Sequence, residues 1–504
     1  MFPLHIGSPD DFAAVRKFLT GAGFTADTLC EALGVSGLHE VLSGKGRLED
    51  AAAAGRLGVL ARLFVLGESV PREDWTAAVP DDASDAMGRL GLVEADPASP
   101  ERLISPVMLA PHGELAFASD RYCAPGGGPY QAPDDAVYPA VTKATGEFLR
   151  LLPQTPCQRL LDLCSGTGVA AITAACGGVA EQAWAADILA RAAHFARFNA
   201  RLNGAENVTV VQGDLYEPVG ALQFDRIVAH PPYVPALRSK WTFRDAGEAG
   251  EAISHGVVAG CPRALAPGGR LYCLTTGLDL AGKGFEQRAR EWLGEEAEAF
   301  DVLLVEIDSF APQALASSLA LRGQRTPEEA RRLLEGFEQA GVRAFCHGLL
   351  VVQKKSDALR PAFLHRARSG PRTGPLEIDW LMDWLARSAE PGFERALLEA
   401  RYRASPHCRM ALEHRFEDDG PVVTGIAVRA DYPFRVESNI QPWTAQALAA
   451  CGRPKTGRQI YDFCRREGLI QESIGPAEFT ALLRSLVTAG FLEMESLRTP
   501  AAAE

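Results

Sequence analysis

Polar residues and glycines recur in this chain at the ends of short apolar runs. The run RLLDL carries Asp162 and leads through Cys164 into Ser165, Gly166, Thr167 and Gly168. Two glycines around a threonine let the backbone pass close to a ligand. The alanine-rich VAAITAA that follows opens a helix whose first N–H groups have no partners in the helix. This is not a full dinucleotide fingerprint, because Ala171 stands at the last glycine position. It also lacks a phosphate-loop lysine. About 20 residues on, AWAADI ends in Asp187 and Ile188, and an acid at that spacing can accept hydrogen bonds from both hydroxyls of a ribose. VTVVQGDL ends in Asp214 and Leu215, which sets a carboxylate where it can bond an adenine amino group. FDRIVA ends in His230, Pro231, Pro232 and Tyr233. Adjacent prolines remove two donors and fix the backbone with its carbonyls exposed. A neutral imidazole beside them can accept one hydrogen bond or act as a general base.

Elements that bring these groups together must place successive strand ends on one rim. Between 136 and 356, strand-like runs (RLLDLCS, AWAADI, VTVVQGD, FDRIVAH, GRLYCLTT, FDVLLVEI, FCHGLLVVQKK) alternate with helical ones. That alternation predicts a parallel sheet covered by helices on both faces, with ligands bound outside the carboxyl ends of its strands. Residues 1–122 predict a helical, winged-helix-like domain in which RLISPVMLA and GELAFASD form a closing hairpin. The Gly/Pro-rich CAPGGGPYQAPDD then marks a boundary. From 357 to 504 the chain predicts an α+β domain. It begins with a basic, turn-rich connector, LRPAFLHRARSGPRTGP, read as solvated surface, with contact to an acidic substrate or a neighbouring subunit as the alternative, and ends in a second winged-helix-like module.

The ordered set DLCSGTG, ADI, FNARLNG and GDL, followed by AHPPYVP and FRDAGEAGEAI, resembles the class I S-adenosylmethionine-dependent methyltransferases with an (N/D/S)PPY motif. The patterns are similar to those of release-factor glutamine methyltransferases and small-domain ribosomal RNA guanine methyltransferases. The resemblance implies a Rossmann-like, seven-stranded α/β domain over 136–356 that binds S-adenosylmethionine. It implies that Asp162 and the Ser165–Gly168 loop hold the methionine part, Asp187 the ribose, and Asp214 with Leu215 the adenine, with Ile188 a further cofactor contact. His230, Pro231 and Tyr233 become the catalytic corner. Pro232, Trp241, Phe243 and Arg244 become substrate contacts. His230 departs from the family pattern, where Asn, Asp or Ser is usual, and it favours an acceptor that must lose a proton.

Composition narrows the partners. A net charge of −13 disfavours sequence-independent binding to nucleic acid, which relies on a basic surface. The expected acceptor is therefore a protein, a peptide or a small molecule. A nucleic-acid base and a cofactor-sensing regulator are the alternatives, and a homodimer is possible. No CxxC pair or HExxH motif occurs, so no metal site is expected. The start MFPLHIGSPDDFAAV has no basic-then-apolar pattern, and no apolar run nears the roughly 20 residues of a membrane span. A cytoplasmic location is the expectation.

Overall fold

The computed structural model describes residues 2–48, 55–126, 130, 132–232, 251–321, 326–357, 359–418 and 420–495. It divides into two compact units, Met1–Gly277 and Leu278–Glu504. No helix among the described residues is long and apolar enough to cross a membrane. All eleven cysteines are free thiols.

The first unit opens with α1 (Pro9–Gly21), α2 (Ala26–Leu33) and α3 (Arg56–Leu60), the last widening into a π-turn over Ala61–Leu66. Then come β1 (Val70–Pro71), α4 (Arg72–Ala78), α5 (Asp81–Arg89), β2 (Glu94–Asp96) and β3 (Ser99–Ile104), with sheet order β1-β3-β2. Two further strands, β4 (Met108–His112) and β5 (Leu115–Ser119), make a separate hairpin. The segment RLISPVMLA is therefore split between two sheets. The break falls at Ser105-Pro106, where proline has no N–H to give a ladder and the Ser105 hydroxyl donates to the Val107 carbonyl at 2.8 Å.

The α/β part of this unit contains α6 (Lys143–Leu151), β6 (Cys157–Leu163), α7 (Val169–Cys176), β7 (Ala180–Asp187), α8 (Ala190–Leu202) and β8 (Val208–Gln212). β9 (Phe224–Ala229), α9 (Ala252–Ala259) and β10 (Leu265–Leu280) follow. The strands pair in parallel in the order β10-β9-β6-β7-β8. The chain starts in the middle, at β6, runs outward to β8, and returns to the other side at β9. The direction of winding thus reverses between β6 and β9, which leaves a crevice outside their carboxyl ends.

Side chains of α8 hold the two halves of this unit together. Asn199 and Asn203, one helical turn apart, share one face of the helix. The Ala118 N–H donates to the Asn199 side-chain carbonyl at 2.8 Å, and the Asn199 amide donates back to the Ala118 carbonyl at 3.0 Å. Asn203 makes the same exchange with Ala116 at 2.9 and 2.8 Å. Two amides thus replace a strand partner on the edge of β5. Asp120 receives the Arg191 guanidinium, its Nε at 2.7 Å, and the Val137 N–H at 2.7 Å. Arg16 of α1 donates to the Leu202 and Arg201 carbonyls at the α8 C-terminus, at 2.8 and 3.0 Å. Phe12 meets Phe198 edge to face at 5.1 Å.

The second unit is built on β11 (Phe300–Phe310), paired antiparallel with β12 (Val342–Lys354) and parallel with β13 (Leu364–Arg368). β13 lies inside the stretch expected to be a solvated basic connector. Arg360, Arg366 and Arg368 of that stretch pair with carboxylates of the fold. Arg360 pairs with the fully buried Asp301, with one contact at 3.1 Å. Arg366 donates to Asp279 at 2.6 Å and to Glu306 at 3.2 Å, and it also pairs with Glu286. A basic run reads as exposed only when its counter-charges lie nearby in sequence. Here they come from segments about 60 to 90 residues away. The rest of the unit carries a hairpin of β14 (Cys408–Glu417) with β15 (Gly420–Ala430), and a helical end at Gly457–Arg466 and Pro476–Thr488.

Replacing Asn199 by Ala strands the N–H and carbonyl of Ala118 in the interior. We expect a loss of about 3 kcal/mol of stability, read as a lowered urea midpoint at unchanged slope.

Candidate active site

The first strand end supplies the loop. After Leu163 the backbone turns through two residues of positive φ, Cys164 (56°) and Gly166 (53°), and Gly168 (77°) caps α7. The two glycines serve different ends. A Cβ at Gly168 would press on Ala196 at 3.1 Å and Ile172 at 3.2 Å, so this glycine allows close packing of α7 on α8. A Cβ at Gly166 would meet no atom within 4 Å, so the loop surface there is open to a ligand. The Ser165 hydroxyl is buried beside it with no hydrogen-bond partner. Thr167 contributes its carbonyl, which accepts from the Asn199 amide at 3.0 Å. The asparagine that holds β5 therefore holds the glycine loop as well.

The neighbouring strand ends complete the rim. Asp187 closes β7, and its carboxylate accepts the Gly166 N–H at 2.9 Å and the Leu189 N–H at 3.0 Å. It therefore orders the loop while keeping lone pairs for a ligand. Ile188 beside it is 57% exposed, an uncovered apolar surface on the rim. At the end of β8, Asp214 is exposed and Leu215 has a φ of 45°. The Gly213 N–H bonds the Asp187 carbonyl at 3.0 Å, which fixes this turn to its neighbour.

Asp162 differs from the others. It lies below the loop, and its carboxylate accepts the Ala171 N–H in the first turn of α7 at 3.2 Å. Burial pushes this carboxyl up to about 8, and nearby Asp187 adds to the rise, while the Ala171 bond opposes it. Burial also raises Asp187, against its hydrogen bonds from Leu189 and Gly166. Two carboxyls in a low-dielectric rim disfavour charging unless a cation arrives.

β9 is the strand next to β6, with Ala229 in register with Leu163. His230 and Pro231 therefore leave the sheet beside the glycine loop, on the edge where Asp187 and Asp214 also stand. His230 is half-buried, Pro231 buried and Pro232 half-buried. The imidazole lies over Phe148 of α6, ring centres 5.2 Å apart and planes tilted by 31°. Tyr233, Trp241, Phe243 and Arg244 lie outside the described residues. No cluster of three or more His, Cys, Asp or Glu among the described residues could hold a metal ion.

Three contributors were given no role of their own from sequence, although FNARLNG contains two of them. Phe148 gives no local signal, because its partner is 82 residues away. Asn199 and Asn203 did leave one, since two asparagines four apart on a helix with buried neighbours call for partners.

Residues 138–278 match the family described as Methyltransferase small domain. Residues 21–103 match a Domain of unknown function (DUF7059). Over 170 residues the chain is 32% identical to the ribosomal protein uL3 glutamine methyltransferase of Bradyrhizobium diazoefficiens, covering 31% of this chain and 53% of that protein. It is 33% identical over 135 residues to the release factor glutamine methyltransferase of Xylella fastidiosa, covering 25% and 49%. The Escherichia coli release factor glutamine methyltransferase is 35% identical over 88 residues, covering 18% and 31%. The chain thus spans about half the length, or less, of these curated relatives. Enzymes of this family use S-adenosylmethionine. The open face of Gly166, the unpaired Ser165 hydroxyl and the carboxylates on adjoining strand ends fit that cofactor.

The raised Asp162 carboxyl has a consequence for stability. Unfolded, the group titrates near 4, so between about pH 4 and pH 8 the folded chain holds a proton that the unfolded chain has lost. Its contribution is therefore fully present at low pH and disappears as pH rises through the folded value. Asp162→Asn should flatten this dependence, making the variant more stable than the parent at pH 8.5 and closest to it near pH 5. Paired urea titrations at the two pH values test this.

Proposed function

We propose that the protein is an S-adenosylmethionine-dependent N-methyltransferase whose acceptor is a planar side-chain nitrogen of a protein, with the glutamine amide as the leading candidate. The observation that carries this reading is the adjacency of β6 and β9. The glycine loop and the His230-Pro231-Pro232 corner leave neighbouring strands in register, at one edge of the sheet. The names of the relatives supply the acceptor class.

S-adenosylmethionine supplies an electrophilic methyl carbon on a sulfonium. In this reading Ser165, Gly166, Thr167 and Gly168, above Asp162, hold its methionine part. Asp187 takes the ribose hydroxyls, while Asp214, Ile188 and Leu215 receive the adenine. The chain's remaining task is to aim the acceptor lone pair and exclude water. The Pro231 carbonyl accepts a hydrogen bond from the acceptor N–H, and Tyr233 stacks on the planar group. Pro232, Trp241, Phe243 and Arg244 are assigned to the acceptor's flanks.

His230 is assigned as the proton acceptor. An asparagine would position a substrate NH₂ group by both accepting and donating, whereas a neutral imidazole can take the proton itself. The first unit's order of helix, strand, two helices and two strands, over 56–104, supports reading it as a winged-helix-like module. We read it as a module that selects or orients the acceptor.

Labelled S-adenosylmethionine, incubated with recombinant uL3, a release factor and RNA, decides between acceptors by mass spectrometry. Methyl on a glutamine amide is expected, and methyl on RNA alone would overturn the protein reading. Asp187→Ala should weaken cofactor binding about 100-fold by calorimetry, the scale of two hydrogen bonds to a charged group. His230→Asn and His230→Ala should each lower kcat about 100-fold or more with cofactor affinity intact. Full turnover by His230→Asn would reduce the histidine to a hydrogen-bond acceptor.

A further inference from the structure

A cavity of about 320 Å³ lies under α6, against the face of the sheet that also carries His230. Residues 226, 228 and 230 alternate with 225, 227 and 229, so Arg226, Val228 and His230 project from one face. Leu160 is paired with Arg226 and shares that face. The cavity's lining reaches Ala170 in the first turn of α7 but includes neither His230 nor any residue of the glycine loop. It also includes Pro153, in the short connection between α6 and β6, and Val179, immediately before β7. The cavity therefore extends to the amino ends of the strands, the edge opposite the glycine loop.

Its chemistry is uneven. Leu149, Leu160, Val179 and Val228 give most of the wall an apolar surface. Arg226 is 7% exposed, and its guanidinium donates to the Pro153 carbonyl at 3.2 Å and the Thr155 hydroxyl at 2.8 Å. Both partners are neutral, and two of the five donors of a guanidinium are thereby used. Asp225 does not balance the charge, because it projects from the other face and accepts the Arg159 N–H at 2.9 Å. No carboxylate lines the cavity among the described residues. The Thr173 hydroxyl, also in the lining, is buried with no partner. A buried cation needs compensating charge or hydrogen bonds, and a buried hydroxyl needs a partner.

We infer that this cavity is a second ligand site, separate from the methyl-transfer rim, for a small anion with an apolar tail that bonds Arg226 and Thr173. Its volume falls in the range of small-molecule pockets. A carboxylate and a phosphate monoester share the required chemistry, so both serve as probes.

Calorimetry of the full chain with octanoate, octyl phosphate and octanol tests the site. At least one anion should bind saturably, about tenfold or more tighter than octanol, the scale of a charge-assisted hydrogen bond. Whichever anion binds identifies the headgroup. Arg226→Met should abolish the preference over octanol. Ala174→Leu, which keeps the arginine and fills the cavity, should abolish binding of all three probes, so a folding defect in the first variant leaves the test intact. Cofactor binding, measured in the same samples, should persist in both variants and in the presence of the anion. Equal affinity for octanol, anion binding that survives both variants, or displacement of the anion by cofactor would each overturn the inference. None of these outcomes depends on whether methyl transfer occurs.

Discussion

Everything at the rim depends on α8 being held in place by amide hydrogen bonds. Asn199 and Asn203 give β5 a substitute for a neighbouring strand, and Asn199 reaches the Thr167 carbonyl with the same amide group. A side chain this deeply buried is tolerable only because all of its polar groups are used. The N-terminal hairpin, α8 and the glycine loop are joined through one side chain. Arg16 on the α8 C-terminus and Arg191 on Asp120 extend the same clamp at either end of the helix. A loop that must present its backbone to a ligand is thereby ordered in advance, which lowers the entropy lost on binding.

The electrostatics of the rim follow from that ordering. Asp162 and Asp187 sit in a low-dielectric setting where burial, more than any neighbouring charge, raises both carboxyls. Their hydrogen bonds come from backbone N–H groups of the glycine loop and of α7 and α8, not from lysine or arginine. Without a cationic partner among the described residues, the pair retains its capacity to interact with a positively charged ligand. An arginine here would hold the aspartates ionised and cancel that attraction. The second unit shows the opposite arrangement. Arg366 is surrounded by Asp279, Glu286 and Glu306, and those charges are spent on the fold.

Legibility from sequence tracked the range of the interaction. The parallel strands were readable because each apolar run is local, and the glycine loop because Gly166 and Gly168 serve needs set by their own backbone. Strand β13 was not readable. LHRAR has too few apolar residues to signal a strand, and it joins a sheet only because acidic residues distant in sequence neutralise its arginines. The split of RLISPVMLA was within reach, since Pro106 marks the break. The alternation on either side concealed it, because both halves are strands of different sheets. The contact between His230 and Phe148 belongs to the unreadable class, joining a helix to a strand end through tertiary packing alone.

That last contact explains how the corner tolerates its unusual residue. An asparagine before the prolines can be oriented by hydrogen bonds alone, but an imidazole also has two broad faces to pack. Phe148 covers one of them, near the stacking distance of aromatic pairs. It is carried by α6, whose next residue, Leu149, lines the cavity above Val228 and Arg226. The helix therefore has two tasks on successive residues: packing the histidine and roofing the space below it. The same alternation along β9 sets Arg226 and Val228 under α6 and His230 at the rim. An anion beside Arg226 would thus share one helix and one strand with the catalytic corner, and any shift of α6 on binding would be felt first at the imidazole.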